Sequence, residues 1–324
     1  MRILLLILTT LLFLNCGETP PSAASSASNK DDNQAQKSDN KDLSEGKLLA
    51  INGTNLYVKT IGKGEPLLII HGGPGLDHTY FLPQMEALAQ NHELIFYDQR
   101  ASGKSAADFD STQISMDIFI EDIESLRQGF RLDQLNILGH SFGGILAMKY
   151  AIKYPDKVKK LILSNSSGAS ARFVKEAQKE LMARITEEDK FEQDLIFNAQ
   201  NFQQKRASAY QDLFRIFFRK EFFNRELASE LTLTFPENFA KNSQTLSYLS
   251  KDMGANYDFQ EELKRITAPT LVIYGDYEIL AESAGKAIVN TIPDADFLLL
   301  KDCGHFPFIE QPSAYFSAIT EFLK

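Results

Sequence analysis

The chain predicts an α/β fold: a mostly parallel central sheet with helices on both faces, interrupted by one long helical insertion. Three observations carry this reading. Short continuous apolar runs at 66–70, 94–97, 135–138, 161–163, 270–274 and 297–300 have the character of strands buried on both faces. Amphipathic stretches near 79–90, 114–130, 142–154, 282–290 and 312–323 alternate with them, the rhythm of a parallel sheet covered by helices. Between about 166 and 258 that rhythm stops. Apolar and charged residues there recur at helical spacing, as in Leu213-Phe214-Arg215-Ile216-Phe217-Phe218, and no stretch reads as a strand. An insertion placed between strands in this way is expected to form a lid over the strand ends.

The elements follow in order. Residues 1–15 carry one positive charge at Arg2 and then an apolar run from Ile3 to Leu14. As a helix that run spans about 18 Å, short of the roughly 30 Å hydrocarbon core, so it reads as a signal peptide and not as a spanning helix. It stops at Asn15-Cys16-Gly17, where a bacterial lipoprotein signal places its lipidated cysteine, although Phe13 and Asn15 depart from the usual pattern. From Glu18 to about Asp42 the composition turns to Ser, Ala, Asn, Asp, Gln and Lys, which buries too little apolar surface to offset the entropy of ordering. Residues 16–45 are therefore expected to be a disordered tether. The expected organisation is then a first core segment at 46–165, a helical lid at 166–258 and a second core segment at 259–324. The implied location is the bacterial cell envelope, with the membrane as a partner through the lipid on Cys16.

Composition narrows the function. With 324 residues, 44% of them hydrophobic, the chain has material for a sizeable core. A formal net charge of −9 argues against a basic nucleic-acid face, so no nucleic-acid partner is expected. Cys16 and Cys303 are the only cysteines, which excludes a disulfide scaffold and a cysteine zinc cluster. Cys303 is then expected to be a packed free thiol. Within 47–60 two strands flank Asn52-Gly53, a strong hairpin signal.

The chemistry gathers around Gly139-His140-Ser141-Phe142-Gly143, a G-x-S-x-G pattern with an apolar strand before it and the helical Ile145-Leu146-Ala147-Met148 after it. A strand-to-helix turn this tight strains the serine backbone and turns its hydroxyl out of the sheet, making Ser141 the candidate nucleophile. Serine needs a base at neutral pH. Of five histidines, His305 lies in a loop between the last strand and the last helix, where it can reach the top of the sheet. A carboxylate should follow the strand at 270–274, and Gly275-Asp276-Tyr277-Glu278 offers two. Backbone N–H groups of Gly73, in His71-Gly72-Gly73-Pro74-Gly75, and of Phe142 are the candidate oxyanion donors. Gly103-Lys104-Ser105 looks like the end of a phosphate-binding loop, but that pattern needs glycine where Asp98 stands.

On these residues, together with Tyr97-Asp98-Gln99-Arg100 and Gly304-His305, the chain resembles the α/β-hydrolase superfamily and, within it, the proline iminopeptidase family. The resemblance covers about 47–165 and 258–324. It implies Ser141 as nucleophile, His305 as base, Gly73 and Phe142 as oxyanion donors, and an acid third after the loop glycine, which is Glu278, where the family usually has Asp. It implies release of N-terminal proline from short peptides through an acyl-enzyme, without metal or cofactor. Ala101 stands in place of the usual glycine, and Phe142 where these peptidases often have Trp. The family binds the free α-amine through acidic lid residues near tryptophans, but this chain has no tryptophan and the resemblance does not single out which glutamates would serve. A carboxylesterase on small or lipid-like acyl esters is the alternative, and a non-catalytic surface-binding lipoprotein a lesser one. Dehalogenases and epoxide hydrolases share the fold but need a carboxylate where Ser141 stands.

Overall fold

The computed structural model describes residues 42–105, 110–280 and 282–324. The expected signal peptide, the lipidation site Cys16 and the tether up to residue 41 lie outside the described residues. The folded body starts slightly before the expected boundary at 46. Leu43 packs on the core, and its carbonyl accepts from the N–H groups of Gly46 and Thr60 at 2.9 and 3.0 Å.

The strands β1 (Lys47–Ile51) and β2 (Thr54–Ile61) form an antiparallel hairpin. Its turn residues Asn52 and Gly53 have φ of 44° and 74°, the left-handed pair that a two-residue hairpin turn requires. The remaining strands are β3 (Glu65–Ile70), β4 (His92–Tyr97), β5 (Leu135–His140), β6 (Val158–Ser164), β7 (Thr270–Gly275) and β8 (Ala295–Leu300). They join into one eight-stranded sheet in the order β1-β2-β4-β3-β5-β6-β7-β8. Every pair from β4 across to β8 is parallel, and β2 meets β4 antiparallel.

Alternation along each strand divides the core between the two faces. Leu68 and Ile70 belong to the cluster under α1 (Met116–Gly129) and α2 (Phe142–Lys153), with α9 (Glu282–Val289) beside them. Leu67 and Ile69 face the other cluster, closed by α11 (Pro312–Leu323). Two expectations need correction. The amphipathic stretch at 79–90 is not one α-helix but two short 3-10 segments, His78–Phe81 and Gln84–Gln90, because Pro83 lacks the N–H that would carry a helix through. And β8, although apolar in sequence, is half-buried because it is the edge strand of the sheet among the described residues.

The segment between β6 and β7 is helical: α3 (Ala171–Ala183), α4 (Glu187–Asn198), α5 (Gln200–Gln203), α6 (Ala207–Arg219), α7 (Phe239–Asn242) and α8 (Thr245–Met253). Its two ends are stitched together by Ala171 N–H donating to Tyr257 O at 2.8 Å and Phe259 N–H to Ala169 O at 3.0 Å. The insertion therefore leaves and re-enters the sheet at one place, beyond the carboxyl ends of the strands. Its phenylalanines Phe214, Phe217, Phe218 and Phe222 pack in the same cluster as Phe306 and Phe308 from the loop and helix after β8.

Candidate active site

The turn from β5 into α2 sets the position of Ser141. Its backbone stands at φ 56° and ψ −124°, a conformation costly for any residue with a Cβ, and its side chain makes no capping bond to the helix that it starts. The close approach of strand and helix requires glycine: a Cβ at Gly139 would come 2.6 Å from the carbonyl oxygen of Gly143. Gly72 is equally constrained, since a Cβ there would lie 2.9 Å from the Cβ of Ser141. The glycine-rich loop after β3 thus presses against the serine. Gly73 lines the same cavity at φ 117°, and Phe142 is the first residue of α2, where a backbone N–H has no partner within the helix.

The loop after β8 brings His305 to the same cavity. His305 Nδ1 lies 2.7 Å from Glu278 Oε2. That oxygen also accepts from Asn165 Nδ2 at 2.5 Å, while Glu278 Oε1 accepts from the N–H of Leu280 at 3.2 Å. Burial works against the ionised carboxylate, but the His305 ring and these donors outweigh it and hold Glu278 below its ordinary range. The other carboxylate of the turn, Asp276, is directed elsewhere: it accepts from the N–H of Cys303 at 3.3 Å and lies 3.5 Å from Lys301 Nζ. Cys303 itself is a buried free thiol.

Several residues of the site have roles that the sequence motifs do not disclose. Tyr80 O–H accepts from the N–H of Gly72 at 2.7 Å and donates to His140 Nδ1 at 2.8 Å. His140 then donates from Nε2 to the carbonyl of His305 at 2.8 Å. Burial keeps His140 neutral, with its pKa well below the usual imidazole value. One buried chain of hydrogen bonds therefore ties the glycine-rich loop, the serine turn and the histidine loop together. A comparable role falls to His71, whose pKa burial depresses to about 4: its Nε2 accepts from the N–H of Gln99 at 3.0 Å, and Nδ1 donates to Gly72 O at 2.7 Å. Ala101, at φ 56°, takes the left-handed turn that glycine adopts without strain.

The most consequential of these residues is Glu221. It follows α6 in the insertion and is only 3% exposed. Its carbonyl accepts from the N–H of His305 at 2.8 Å, and its Oε2 lies 3.8 Å from His305 Nε2. Burial raises its pKa to about 7. Nearby, Glu310 accepts from the N–H groups of Gly304, Phe223 and Asn224 at 2.6, 2.7 and 3.1 Å, clamping the histidine loop to the insertion.

The cavity holding Ser141, His305 and Glu221 has a volume of about 110 Å³, lined on its apolar side by Leu76, Val174, Phe214, Phe217, Phe218 and Phe306. That is well below the roughly 300–1,000 Å³ of pockets for drug-sized ligands. A larger hollow of about 810 Å³, on the insertion between α4 and α6, shares none of its lining residues. Asp77, His78 and Asp98 lie close enough to offer a cation three ligand atoms. Their atoms are already engaged with one another and with Thr79 and Lys104, and they brace the loop at 98–105.

Comparison with known proteins places this geometry. The profile of the alpha/beta hydrolase fold matches residues 65–312. A proline iminopeptidase of Lactobacillus delbrueckii subsp. bulgaricus is 30% identical over 86% of this chain and 97% of its own. One from Clostridioides difficile (strain 630) is 28% identical over 85% and 97%. Among solved structures, proline iminopeptidase from Mycobacterium smegmatis superposes with a TM-score of 0.63 at 21% identity, covering 86% of this chain and 97% of that one. An esterase from Exiguobacterium antarcticum reaches 0.59 at 20% identity over 85% and 97%. With three sequence motifs meeting at one cavity beyond the strand ends, and a family match across most of its length, this hydrolase belongs to the α/β-hydrolase fold family and resembles the proline iminopeptidases within it.

Proposed function

We propose that the chain is a serine hydrolase working through an acyl-enzyme, and that it releases a small N-terminal residue, proline being the case its relatives suggest, from short peptides or small amides. In this reading Ser141 Oγ attacks the acyl carbon while His305 Nε2 takes its proton. Glu278 holds the imidazole by Nδ1 and stabilises the imidazolium. The N–H groups of Gly73 and Phe142 receive the developing oxyanion. His305 then protonates the leaving amine, and water repeats the sequence in reverse to free the acid.

The observation that carries the amine preference is Glu221. A carboxylate buried among phenylalanines, 3.8 Å from His305 Nε2 in a cavity of about 110 Å³, is costly unless a cation meets it. A substrate whose ammonium sits on the atom next to the acyl carbon supplies that cation, and the small apolar cavity suits a compact ring. Helices of the insertion then act as the lid, since α3 and α6 provide most of the apolar lining.

The test is a comparison of turnover on a prolyl arylamide and on matched short acyl esters without an amine. The arylamide should be preferred in wild type. Glu221→Gln should lose about tenfold to a hundredfold in kcat/KM on it, the worth of one charge-assisted hydrogen bond, and should not lose on the esters. Preference for the esters, unchanged by Glu221→Gln, would support the carboxylesterase reading. The apolar lining favours that alternative for short acyl groups only, given the size of the cavity.

An envelope location is proposed on separate grounds, the apolar run before Cys16. Acyl chains on Cys16 would retain the enzyme at a membrane. Cys16→Ala should then move it from the detergent phase to the aqueous phase, and equal partitioning of the two proteins would refute the anchor.

A further inference from the structure

Both ring nitrogens of His305 face carboxylates. Nδ1 meets Glu278 Oε2 at 2.7 Å, and Nε2, the atom that must accept the proton of Ser141, faces Glu221 Oε2 at 3.8 Å. The second carboxylate springs from a fixed and buried backbone. Glu221 is bound through its own backbone to the histidine loop, and its N–H is held by Phe218 O at 2.8 Å. A neutral imidazole in this setting would turn a lone pair toward a buried negative charge.

We propose that Glu221 makes the catalytic base conditional on the substrate: in the empty site it pairs with a protonated His305, and a substrate ammonium that takes over its carboxylate drives the Nε2 proton off, freeing the lone pair for Ser141. This rests on the amine-recognising role given to Glu221 above and goes beyond recognition to timing. Charge balances in the exchange. One ammonium enters the site and one proton leaves His305 Nε2 for solvent, so the site's net charge is unchanged while the base is switched on. A neutral ester cannot make this exchange and meets a histidine still protonated at neutral pH.

The groups around the ring favour the protonated state of the empty site. Burial opposes an imidazolium, but Glu278 from the turn after β7 and Glu221 from the insertion lift the pKa of His305 to about 9. Glu310, at the end of α10 (Pro307–Glu310), adds in the same direction. His140, its ring tilted by 52° and 4.7 Å from that of His305 between centroids, is neutral. Arg184 and the buried Lys220 draw on the charge of Glu221, and Lys220 Nζ lies 4.9 Å from the centre of the Phe217 ring.

The experiment follows the rate at which a small neutral fluorophosphonate labels Ser141 as pH is varied, with and without pyrrolidinium chloride, using sodium chloride to match ionic strength. Labelling reports the free base, so the pH of its acidic limb reads His305 directly. In wild type the limb should lie above pH 8, and saturating pyrrolidinium should lower it by one unit or more. In Glu221→Gln the limb should already be low and indifferent to pyrrolidinium. Calorimetry of wild type in buffers of differing ionisation enthalpy should show close to one proton released per pyrrolidinium bound at pH 8, where Glu221 is ionised and His305 still protonated, a readout that survives if the variant fails to fold. Two failures are distinguishable. If Glu221→Gln loses the prolyl arylamide yet its limb stays where the wild-type limb is, recognition stands and the coupling is overturned. If wild type neither binds pyrrolidinium nor prefers the arylamide, the amine reading fails and takes the coupling with it.

Discussion

Replacing Glu278 by Gln isolates one charge in a site whose surroundings specify where each atom of the amide must go. Glu278 Oε2 is approached by two donors, His305 Nδ1 at 2.7 Å and Asn165 Nδ2 at 2.5 Å, and Oε1 by one, the N–H of Leu280 at 3.2 Å. The amide oxygen of Gln therefore settles toward His305 and Asn165, and its NH₂ group faces the Leu280 N–H. The histidine keeps a partner at Nδ1 but loses the negative charge that stabilises the imidazolium. At 2.7 Å and an effective dielectric constant of about 20, that charge is worth about 6 kcal/mol. Losing the corresponding carboxylate in a Ser–His–Asp enzyme costs about 10⁴ in kcat, or about 5.5 kcal/mol, which agrees in scale. We expect Glu278→Gln to lower kcat by about 10³ to 10⁴ with little change in KM, while Asp276→Asn costs tenfold or less. The assay is steady-state turnover of whichever acyl substrate the wild type prefers, with circular dichroism to confirm folding. A large loss in Asp276→Asn alongside a small loss in Glu278→Gln would refute the assignment of the acid.

Three further predictions follow from the same geometry. Ser141→Ala should abolish turnover and fluorophosphonate labelling, and its thermal midpoint should stay close to wild type because alanine keeps the Cβ and the backbone conformation, and the lost hydroxyl makes no capping bond; labelling at the wild-type rate would exclude Ser141 as nucleophile. Tyr80→Phe strips the hydroxyl that joins Gly72 to His140, leaving two buried polar atoms without that partner, at about 1–3 kcal/mol each. A lower unfolding midpoint in denaturant together with a lower kcat is expected, and an unchanged midpoint would count against the network. Stability should also fall as pH rises from about 6.5 to 9, since His305 holds its proton to about 9 in the fold. An unfolded histidine releases its proton near 6.5, so folding is progressively disfavoured across that window, while below it the depressed His71 and His140 act in the opposite sense to the raised Glu221 and Glu310. Thermal midpoints measured from about pH 6.5 to 9 should decline; a midpoint that rises from about pH 6.5 to pH 8 would contradict the shift.

Local patterns made much of this protein legible before any coordinates. Buried strands such as β5 and β7 announce themselves by unbroken apolar runs, the hairpin by Asn52-Gly53, and the serine turn by glycines that the backbone cannot do without. Each is a short-range constraint, written into neighbouring residues. Even there the reading had limits, because Pro83 divides a stretch whose periodicity alone suggested one helix, and β8 is apolar although it sits at an edge. The residues that act across long sequence distances carry no such pattern. Glu221 is one of many glutamates in a helical segment, and Tyr80 is one of 11 tyrosines. Nothing beside either of them in the chain marks it for the cavity. Their roles arise from packing, as α6 delivers Glu221 to the histidine loop 84 positions later and Tyr80 spans the gap between the loop after β3 and the end of β5. A carboxylate becomes chemically special here through burial and through the partner it faces, and both are properties of the folded chain.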